Sequence, residues 1–234
     1  MTPREFVENT GGSYSKELEI DLSSGSSREI FKWLLASVLF GARISWKIAE
    51  RTWRCFEAHD VLTPEAISET GWEGLVSILD EGGYVRYDFK TASKLIELSE
   101  NLKQYYQGDM DRLHSDAANA RDLEKRLAAL AKGIGPVTIE IFLREMRGIW
   151  EKAEPLPSEK TISAARELGF IPDTIGNRKD ALKGLIDRWG NERDFRDFEA
   201  ALQRKGMERP RRPDGALRIT QRDASVRRKG RTSP

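Results

Sequence analysis

The stretch "LAKGIGPVTIEIF", residues 130–142, places two glycines around one isoleucine and follows them with a proline and an apolar run at helical spacing. Because glycine adopts positive φ, and because proline at the first position of a helix costs no hydrogen bond, the stretch predicts a helix that ends near Leu130 and another that begins at Pro136. The free amides of the turn would then lie at the positive end of the second helix dipole, where a phosphate binds well. The stretch therefore predicts a helix-hairpin-helix within residues 120–150. The simpler alternative is a tight turn whose glycines act only as helix caps.

The rest of the chain also shows apolar residues at helical spacing, so we expect an all-α fold of about nine or ten short helices. Residues 28–40 are apolar on nearly every face, which is typical of a buried helix. Thr63 and Pro64 mark the start of a helix that runs toward Gly71, and a second helix follows it. Residues 16–22 alternate between apolar and charged types and are the one candidate for a strand.

The composition excludes several classes of protein. With 234 residues, of which 38% are hydrophobic, the chain can bury one sizeable core or two small ones. One cysteine, Cys55, and two histidines leave no pattern typical of a metal site, and we expect neither a metal nor another cofactor. No apolar run reaches the roughly 20 residues that span a bilayer, and the N-terminus lacks the pattern of a signal peptide. We therefore expect a soluble, cytoplasmic monomer without a membrane partner, associated with the nucleoid if the source is bacterial or archaeal.

Charge is distributed unevenly along the chain. Residues 203–234 contain eleven Lys or Arg and three Asp or Glu, a net charge of +8, so the other 202 residues carry −7 of the total of +1. Because residues 207–234 have few apolar side chains, we expect a disordered basic tail, which either solubilises the chain or acts as an electrostatic arm for nucleic acid. The expected organisation is an N-terminal segment that packs on the core (1–25), a helical core (26–150), C-terminal helices that complete a second subdomain (151–206), and the tail (207–234).

Four segments carry a family resemblance, in the order "SSREIFKWLLASVLFGARIS", "LTPEAI", "WEGLVSILDEGGYVRYDFKTASKLIELSENL" and "LAALAKGIGPVTIEIFLREM". Over approximately residues 26–170 the chain resembles the helix-hairpin-helix DNA glycosylase superfamily, in its endonuclease III-like branch. The resemblance implies a compact, multi-helix glycosylase-like fold, double-stranded DNA as the partner, including damaged or abasic DNA, and a role in base excision repair. The four-cysteine iron–sulfur loop of that branch is absent from this sequence.

The resemblance also implies which residues contact DNA. Arg43 stands where the family has a polar residue that fills the gap left by a flipped base. Gly83 and Tyr84 correspond to a short turn that packs near the DNA. Lys160 would face a phosphate or remain a surface lysine. The hairpin corresponds to Lys132, Gly133, Ile134, Gly135, Val137 and Thr138.

The positions that would carry catalysis differ from the family pattern. Ser158 stands in place of the catalytic aspartate, and Val137 in place of the lysine that forms a Schiff base, so the resemblance implies base release without strand cleavage. Glu159, and after it Glu154, are the carboxylates placed to stabilise the sugar cation or to activate water. In the alternative, Ser158 is only a helix N-cap, and Glu159 is one of the acidic residues that are common in the first turn of a helix. Lys160 would serve as an amine nucleophile only if it were buried beside other cations.

Two functions of different classes remain open. The first is a base-excision enzyme, a DNA glycosylase that releases a damaged or modified base. The second is a non-catalytic DNA-binding module on a glycosylase scaffold, which the missing aspartate favours. A protein-interaction domain with a vestigial hairpin is a third interpretation, suggested by the charge of −7 outside residues 203–234.

Overall fold

The computed structural model describes residues 1–190 and 195–208, and within them the chain consists of helices joined by turns and loops. The predicted all-α class is confirmed for these residues. None of their helices is both long and apolar enough to cross a membrane. The α-helices are α1 (Pro3–Thr10), α2 (Tyr14–Glu17), α3 (Ser27–Phe40), α4 (Trp46–Ala58), α5 (Pro64–Glu81), α6 (Asp88–Tyr106), α7 (Met110–Ser115), α8 (Ala120–Ala129), α9 (Pro136–Met146), α10 (Glu159–Glu167), α11 (Arg178–Trp189) and α12 (Phe195–Met207), and a short 3-10 helix spans Leu22–Ser24.

The predicted strand at residues 16–22 is wrong. Its first residues belong to α2, and Glu19 has a φ of 59°, which an extended strand does not allow. The amides of Tyr14 and Ser15 donate to the carboxylate of Glu145 at 2.6 and 2.8 Å, so a residue far away in the sequence fixes this conformation. The apolar alternation reflects three side chains that enter the core from an irregular segment, those of Leu18, Ile20 and Leu22.

Several helix boundaries follow local sequence signals. The side chain of Thr63 caps α5 by accepting a hydrogen bond from the amide of Ala66 at 3.2 Å, and Pro64 is the first helical residue. Gly71 interrupts α5 with a φ of 66° and a ψ of 175°, and the helix restarts at Trp72. The interruption agrees with the two helices predicted on either side of Gly71.

The buried apolar side chains form two clusters. The larger includes side chains of α3 to α9, with Trp33 and Trp53 fully buried, and Nε1 of Trp33 donates to the carbonyl of Phe142 at 3.0 Å, which ties α3 to α9. The smaller joins α10, α11 and α12, to which Phe6 of α1 adds its ring. Because Tyr14 belongs to the larger cluster, the N-terminal segment contacts both.

Buried charges link the clusters at the C-terminal end of α9. Glu145 is fully buried, and Arg147 donates to the buried carboxylate of Glu199 on α12 at 3.2 Å. Burial raises the pKa of Glu199, and the neighbouring guanidinium of Arg147 opposes that rise. The C-terminal end of α9 is therefore occupied by contacts within the fold, whereas its N-terminal end faces the turn after α8.

The last described helix ends where the basic tail was predicted to begin. Met207 is the last residue of α12. The tail was predicted at residues 207–234, so its first residue, Met207, is helical instead, and residues 209–234 lie outside the described residues. The division into an N-terminal segment, a core and a second subdomain stays a prediction.

Candidate nucleic-acid interface

The two helices on either side of the α8–α9 turn, which spans residues 130–135, begin differently. The side chain of Asn119 caps α8 and accepts a hydrogen bond from the amide of Asp122 at 3.0 Å. α8 ends at Ala129 and α9 begins at Pro136, close to the positions predicted from the sequence. Gly135, at the N-cap of α9, has no side chain with which to cap the helix. The first turn of α9 therefore keeps its amides free of a side-chain acceptor.

Two hydrogen bonds from α6 hold the turn in place. The side-chain amide of Asn101 donates to the carbonyl of Leu130 at 2.9 Å. The carboxylate of Glu97 accepts a hydrogen bond from the amide of Lys132 at 3.0 Å. The first half of the short loop is thus fixed to a long helix.

The backbone amides at the start of α9 are unpaired. Gly133 has a φ of 94°, which glycine adopts at little cost. Among residues 1–190 and 195–208, no hydrogen-bond partner is present for the amides of Gly135, Val137 and Thr138. The side chains of Ile134 and Thr138 are buried, and the amide of Ile134 donates to the carbonyl of Ala131 at 3.1 Å, so of these two residues only Thr138 has a free amide. The side chain of Val137 is 59% exposed. Unpaired amides at the positive end of a helix dipole suit an anion.

Two lysines lie at the turn. Lys132 is exposed within it. Lys94 of α6 lies against Gly133, with its Cε 3.2 Å from the position that a Cβ on that glycine would take. Burial lowers the pKa of Lys94, and among the described residues no carboxylate forms an ion pair with it. Its ammonium group is therefore partly desolvated and has no anionic partner.

Arg43 lies in the connection between α3 and α4, near the start of α9. A Cβ added to Gly41 would overlap Oγ1 of Thr138, so the end of α3 touches the first turn of α9. Arg43 follows two residues later, and its side chain is exposed. The structure thus brings Arg43 and the α8–α9 turn, which are about 90 residues apart in the sequence, close to each other.

Tyr84 does not lie on the surface, contrary to its prediction as a DNA contact. Its side chain is fully buried, and its hydroxyl donates to the carbonyl of Leu39 at 2.7 Å. Burial raises the pKa of the Tyr84 phenol. The guanidinium of Arg51 covers the neighbouring Gly83, because its Nε donates to the carbonyl of Gly82 at 2.6 Å. Side chains of the fold itself therefore occupy this turn.

Ser158 is the N-cap of α10. Its Oγ accepts a hydrogen bond from the amide of Thr161 at 3.1 Å and donates to Oε1 of Gln203 at 2.6 Å. The N-cap alternative for Ser158 is therefore the one observed. The next two residues, Glu159 and Lys160, are exposed. A catalytic carboxylate or amine is usually buried, because burial shifts its pKa toward the value that its chemistry needs.

A groove of about 1380 Å³ lies between α8, α9 and α11. Of the predicted site residues, Glu154 is the one that lines it. Four basic and four acidic side chains line the groove, so it has no excess of positive charge. Arg178 is bonded to the carbonyls of Leu156 and Pro157, both at 2.8 Å, and Arg147 is bonded to α12. The groove is therefore a weaker candidate for a phosphate than the turn.

Sequence analysis missed an exposed aromatic pair and one lysine. Trp72 on α5 and Phe89 on α6 are 41% and 58% exposed, with ring centroids 5.2 Å apart. For Phe89 the sequence carried a signal, since a helix turns about 100° per residue. Phe89 therefore lies about 120° around α6 from Leu95 and about 180° from Leu98, and both leucines are buried. For Lys94 no local signal exists, since it meets the turn only through tertiary packing.

Comparison of the chain with protein-family models, with curated proteins and with solved structures gives no match. In the part of the chain that the structure describes, no group of three or more His, Cys, Asp or Glu side chains could hold a metal ion. The chemistry of the interface follows from its own geometry. Unpaired amides, a desolvated ammonium group and exposed basic side chains at one turn suit an anionic ligand.

Proposed function

We propose that the protein binds double-stranded DNA and that the α8–α9 turn holds a backbone phosphate. The observation that carries this proposal is the set of unpaired amides at Gly135, Val137 and Thr138. A phosphate has several acceptor oxygens, and amides at a helix N-terminus are a recurrent site for it. Because the contacts are with phosphates and not with base edges, we expect little sequence preference and an affinity that falls steeply as salt rises.

Basic side chains support the same proposal. A phosphate beside Lys94 would compensate for the water that burial has removed from the ammonium group, and it would raise the lowered pKa of this lysine. Arg43 would contact an adjoining phosphate or, as the family resemblance implies, the gap beside a flipped base. Lys132 adds exposed charge within the turn, and Lys160 stays a candidate for an outer phosphate contact.

Gly135→Val tests the turn without disturbing the fold. Gly135 has a φ of −103° and open space at its Cβ position, so the structure accepts a side chain there. Valine would keep a phosphate from the neighbouring amides, and we expect DNA affinity to fall about tenfold, which is the loss of one hydrogen bond to a charged group. Gly133→Val is unsuitable, because a positive φ strains any other residue.

The measurement is the anisotropy of a labelled duplex at fixed salt, with thermal unfolding of each variant recorded in parallel. Gly176→Val is the matched control, because Gly176 is exposed and also has open space at its Cβ position. We expect the control to bind DNA as the wild type does. Unchanged affinity in Gly135→Val would remove the turn from the interface.

The enzymatic form of the proposal is a DNA glycosylase that releases a base without strand cleavage. It needs an anion near the sugar, for which Glu159 and then Glu154 are the candidates, and it forms no Schiff base at Val137. The test uses duplexes that carry uracil, an oxidised pyrimidine, an oxidised purine or an alkylated purine, scored for abasic sites with and without alkali. Release that is lost in Glu159→Gln, with binding retained, supports this form. A covalent adduct trapped by borohydride contradicts the absence of strand cleavage.

The non-catalytic form, a DNA-binding module on a glycosylase scaffold, is favoured by the position of Ser158. Its hydroxyl is used by Thr161 and Gln203, and the adjacent Glu159 is exposed. Burial, which prepares a carboxylate for acid–base work, is therefore missing at Glu159. For this form we expect no base release from any of the four substrates, together with tight binding to abasic or mismatched duplexes.

A further inference from the structure

Two aromatic rings form an exposed pair where α5 and α6 meet. Trp72 is 41% exposed and Phe89 is 58% exposed. Their ring centroids are 5.2 Å apart, and the ring planes are inclined by 42°. Adjacent exposed aromatic rings, unlike single apolar residues scattered over a surface, are typical of a contact site.

A hydrogen bond holds the indole of Trp72 in position, and neither ring of the pair belongs to the two buried clusters of the described residues. Nε1 of Trp72 donates to Oγ of Ser93 at 3.0 Å, and this hydroxyl donates to the carbonyl of Phe89 at 2.9 Å. Gly71, with its φ of 66°, lets α5 restart at Trp72. Because the indole is already oriented, a ligand that stacks on it would lose little affinity to the ordering of side chains.

The pair adjoins the face of α6 that contacts the α8–α9 turn. Phe89 and Ser93 are one helical turn apart on one side of α6, and Lys90 and Lys94 follow on the adjacent side. Lys94 lies against Gly133 of the turn. Phe89 is five residues from Lys94, about 7.5 Å along the helix, which corresponds to about two nucleotide steps of a DNA strand.

The size of the pair suits a small planar group better than another protein. An aromatic side chain offers roughly 150–250 Å², so two half-exposed rings present about 200 Å². A stable protein partner, including a second copy of this chain, needs about 800 Å² on each side. A nucleobase has the area and the flat shape to stack on one ring.

The charges around the pair orient an anionic strand. On α6, Lys90 is exposed next to Phe89, and Lys94 follows toward the turn. On α5, Glu69 and Glu73 are exposed on either side of Trp72 in the sequence. A phosphate backbone is therefore attracted to the α6 side, which leads to the turn, and is repelled from the α5 side.

We infer that Trp72 and Phe89 stack on an unpaired nucleobase in a single-stranded segment adjoining the duplex that the turn binds. This inference rests on the proposed function and names its DNA substrate more closely, as a duplex with a gap or a flap. Stacking accepts any base, because every base has a π-face, so no sequence preference is expected. The duplex part is held through its phosphates, and the aromatic pair distinguishes gapped DNA from intact DNA.

The test compares Phe89→Ala with wild-type full-length protein on three labelled probes: a blunt duplex, the same duplex with a short gap, and single-stranded oligothymidylate. We expect Phe89→Ala to bind the gapped and single-stranded probes about tenfold more weakly, the loss of one base–aromatic stack, and to bind the blunt duplex as the wild type does. Phe89→Tyr keeps the ring and should restore binding. Tyr105→Ala is the matched control, because Tyr105 is an aromatic residue at the far end of α6 and is 61% exposed. It should bind all three probes normally.

Tryptophan fluorescence provides a second measurement, one that a purely structural role would not change. We expect oligothymidylate to quench the emission of the wild type as it stacks on Trp72. Trp72→Phe keeps a ring, so it should retain most of the affinity while losing most of the quenching. Equal quenching in Trp72→Phe and the wild type would contradict stacking at this residue.

The outcomes separate this inference from the proposed function. If Gly135→Val weakens duplex binding but Phe89→Ala changes no probe, the turn stands and the stacking site is wrong. If the wild type binds oligothymidylate through Phe89 but binds no duplex, the aromatic pair binds single strands on its own, and both the role of the turn and the gapped-duplex substrate are wrong. A wild type that binds no DNA overturns both. Self-association that Phe89→Ala abolishes would identify the pair as a contact between copies of the chain and overturn the inference.

Discussion

The two ends of α9 use their polar groups in opposite ways. At the C-terminal end, Glu145 and Arg147 are bonded to α2 and α12, and the carboxylates of Glu145 and Glu199 are buried. At the N-terminal end, the amides of Gly135, Val137 and Thr138 have no partner among the described residues. One end therefore joins the two apolar clusters, and the other is available to a ligand. Substitutions at the C-terminal end of α9 should lower the free energy of unfolding, and substitutions at its N-terminal end should lower the affinity for DNA.

The largest effect is expected from Glu145→Ala. The carboxylate of Glu145 accepts hydrogen bonds from two backbone amides, those of Tyr14 and Ser15, and its removal would leave both without an acceptor. We expect the free energy of unfolding in urea to fall by about 4 kcal/mol. Glu145→Gln keeps one acceptor oxygen and should lose less.

Glu140→Ala, on the same helix, is the control for this prediction. Glu140 is only partly buried and has no hydrogen-bond partner among the described residues, so its removal should change the free energy of unfolding by less than about 0.5 kcal/mol. Equal losses in the Glu140 and Glu145 variants would mean that the C-terminal end of α9 does not hold the fold as described.

The next effect depends on pH and concerns Arg147→Met. Burial raises the pKa of Glu199 in the folded chain, so the stability that this group contributes is present below its unfolded pKa, about 4.3, and is lost as pH rises through the folded pKa. Without the opposing guanidinium the pKa of Glu199 rises further. We expect a loss of about 3 kcal/mol near pH 8 that shrinks toward pH 5. Urea unfolding at both pH values checks this, and a loss independent of pH would show that Glu199 is not the group left unpaired.

Sequence reasoning succeeded where residues within one helical turn decide the outcome. Pro136 and the glycines before it fixed the start of α9, Thr63 and Pro64 fixed the start of α5, and Gly71 broke that helix. Each of these signals acts through backbone dihedrals or a local cap, which the neighbouring residues determine.

Sequence reasoning failed where distant contacts decide. Residues 16–22 alternate as a strand would, but Glu145 binds the amides just before them. Tyr84 looked like a surface residue of a glycine-rich turn, yet it fills the core under Leu39. Lys94 reached the turn only through packing of α6 against it. A single sequence carries no signal for pairings of this kind, because each partner alone has an ordinary neighbourhood.

α10 begins with a side-chain cap from Ser158, whereas α9 begins without one. Ser158→Ala removes this cap and tests whether it serves stability alone. Loss of the N-cap should lower the free energy of unfolding by about 1 kcal/mol. Ser163→Ala, at an exposed position inside the same helix, should be neutral or slightly stabilising, because alanine favours helix. DNA affinity should not change in either variant. A loss of base release or of affinity in Ser158→Ala alone would instead support the enzymatic form of the proposal.

The smallest effect, and the sharpest test of the open end of α9, is expected from Lys94→Met. The methionine keeps the packing against Gly133 but removes the ammonium group, whose pKa burial lowers in the folded chain. Because burial makes the charged form of Lys94 unfavourable in the folded chain, the free energy of unfolding should not fall in the variant. DNA affinity should fall about threefold, and the slope of log affinity against log salt should become shallower by about one unit, the loss of a single phosphate contact. Lys183→Met removes an exposed lysine from α11 and should leave the slope unchanged. If both variants reduce the slope equally, the slope reports the total charge of the protein and not a phosphate held at the turn.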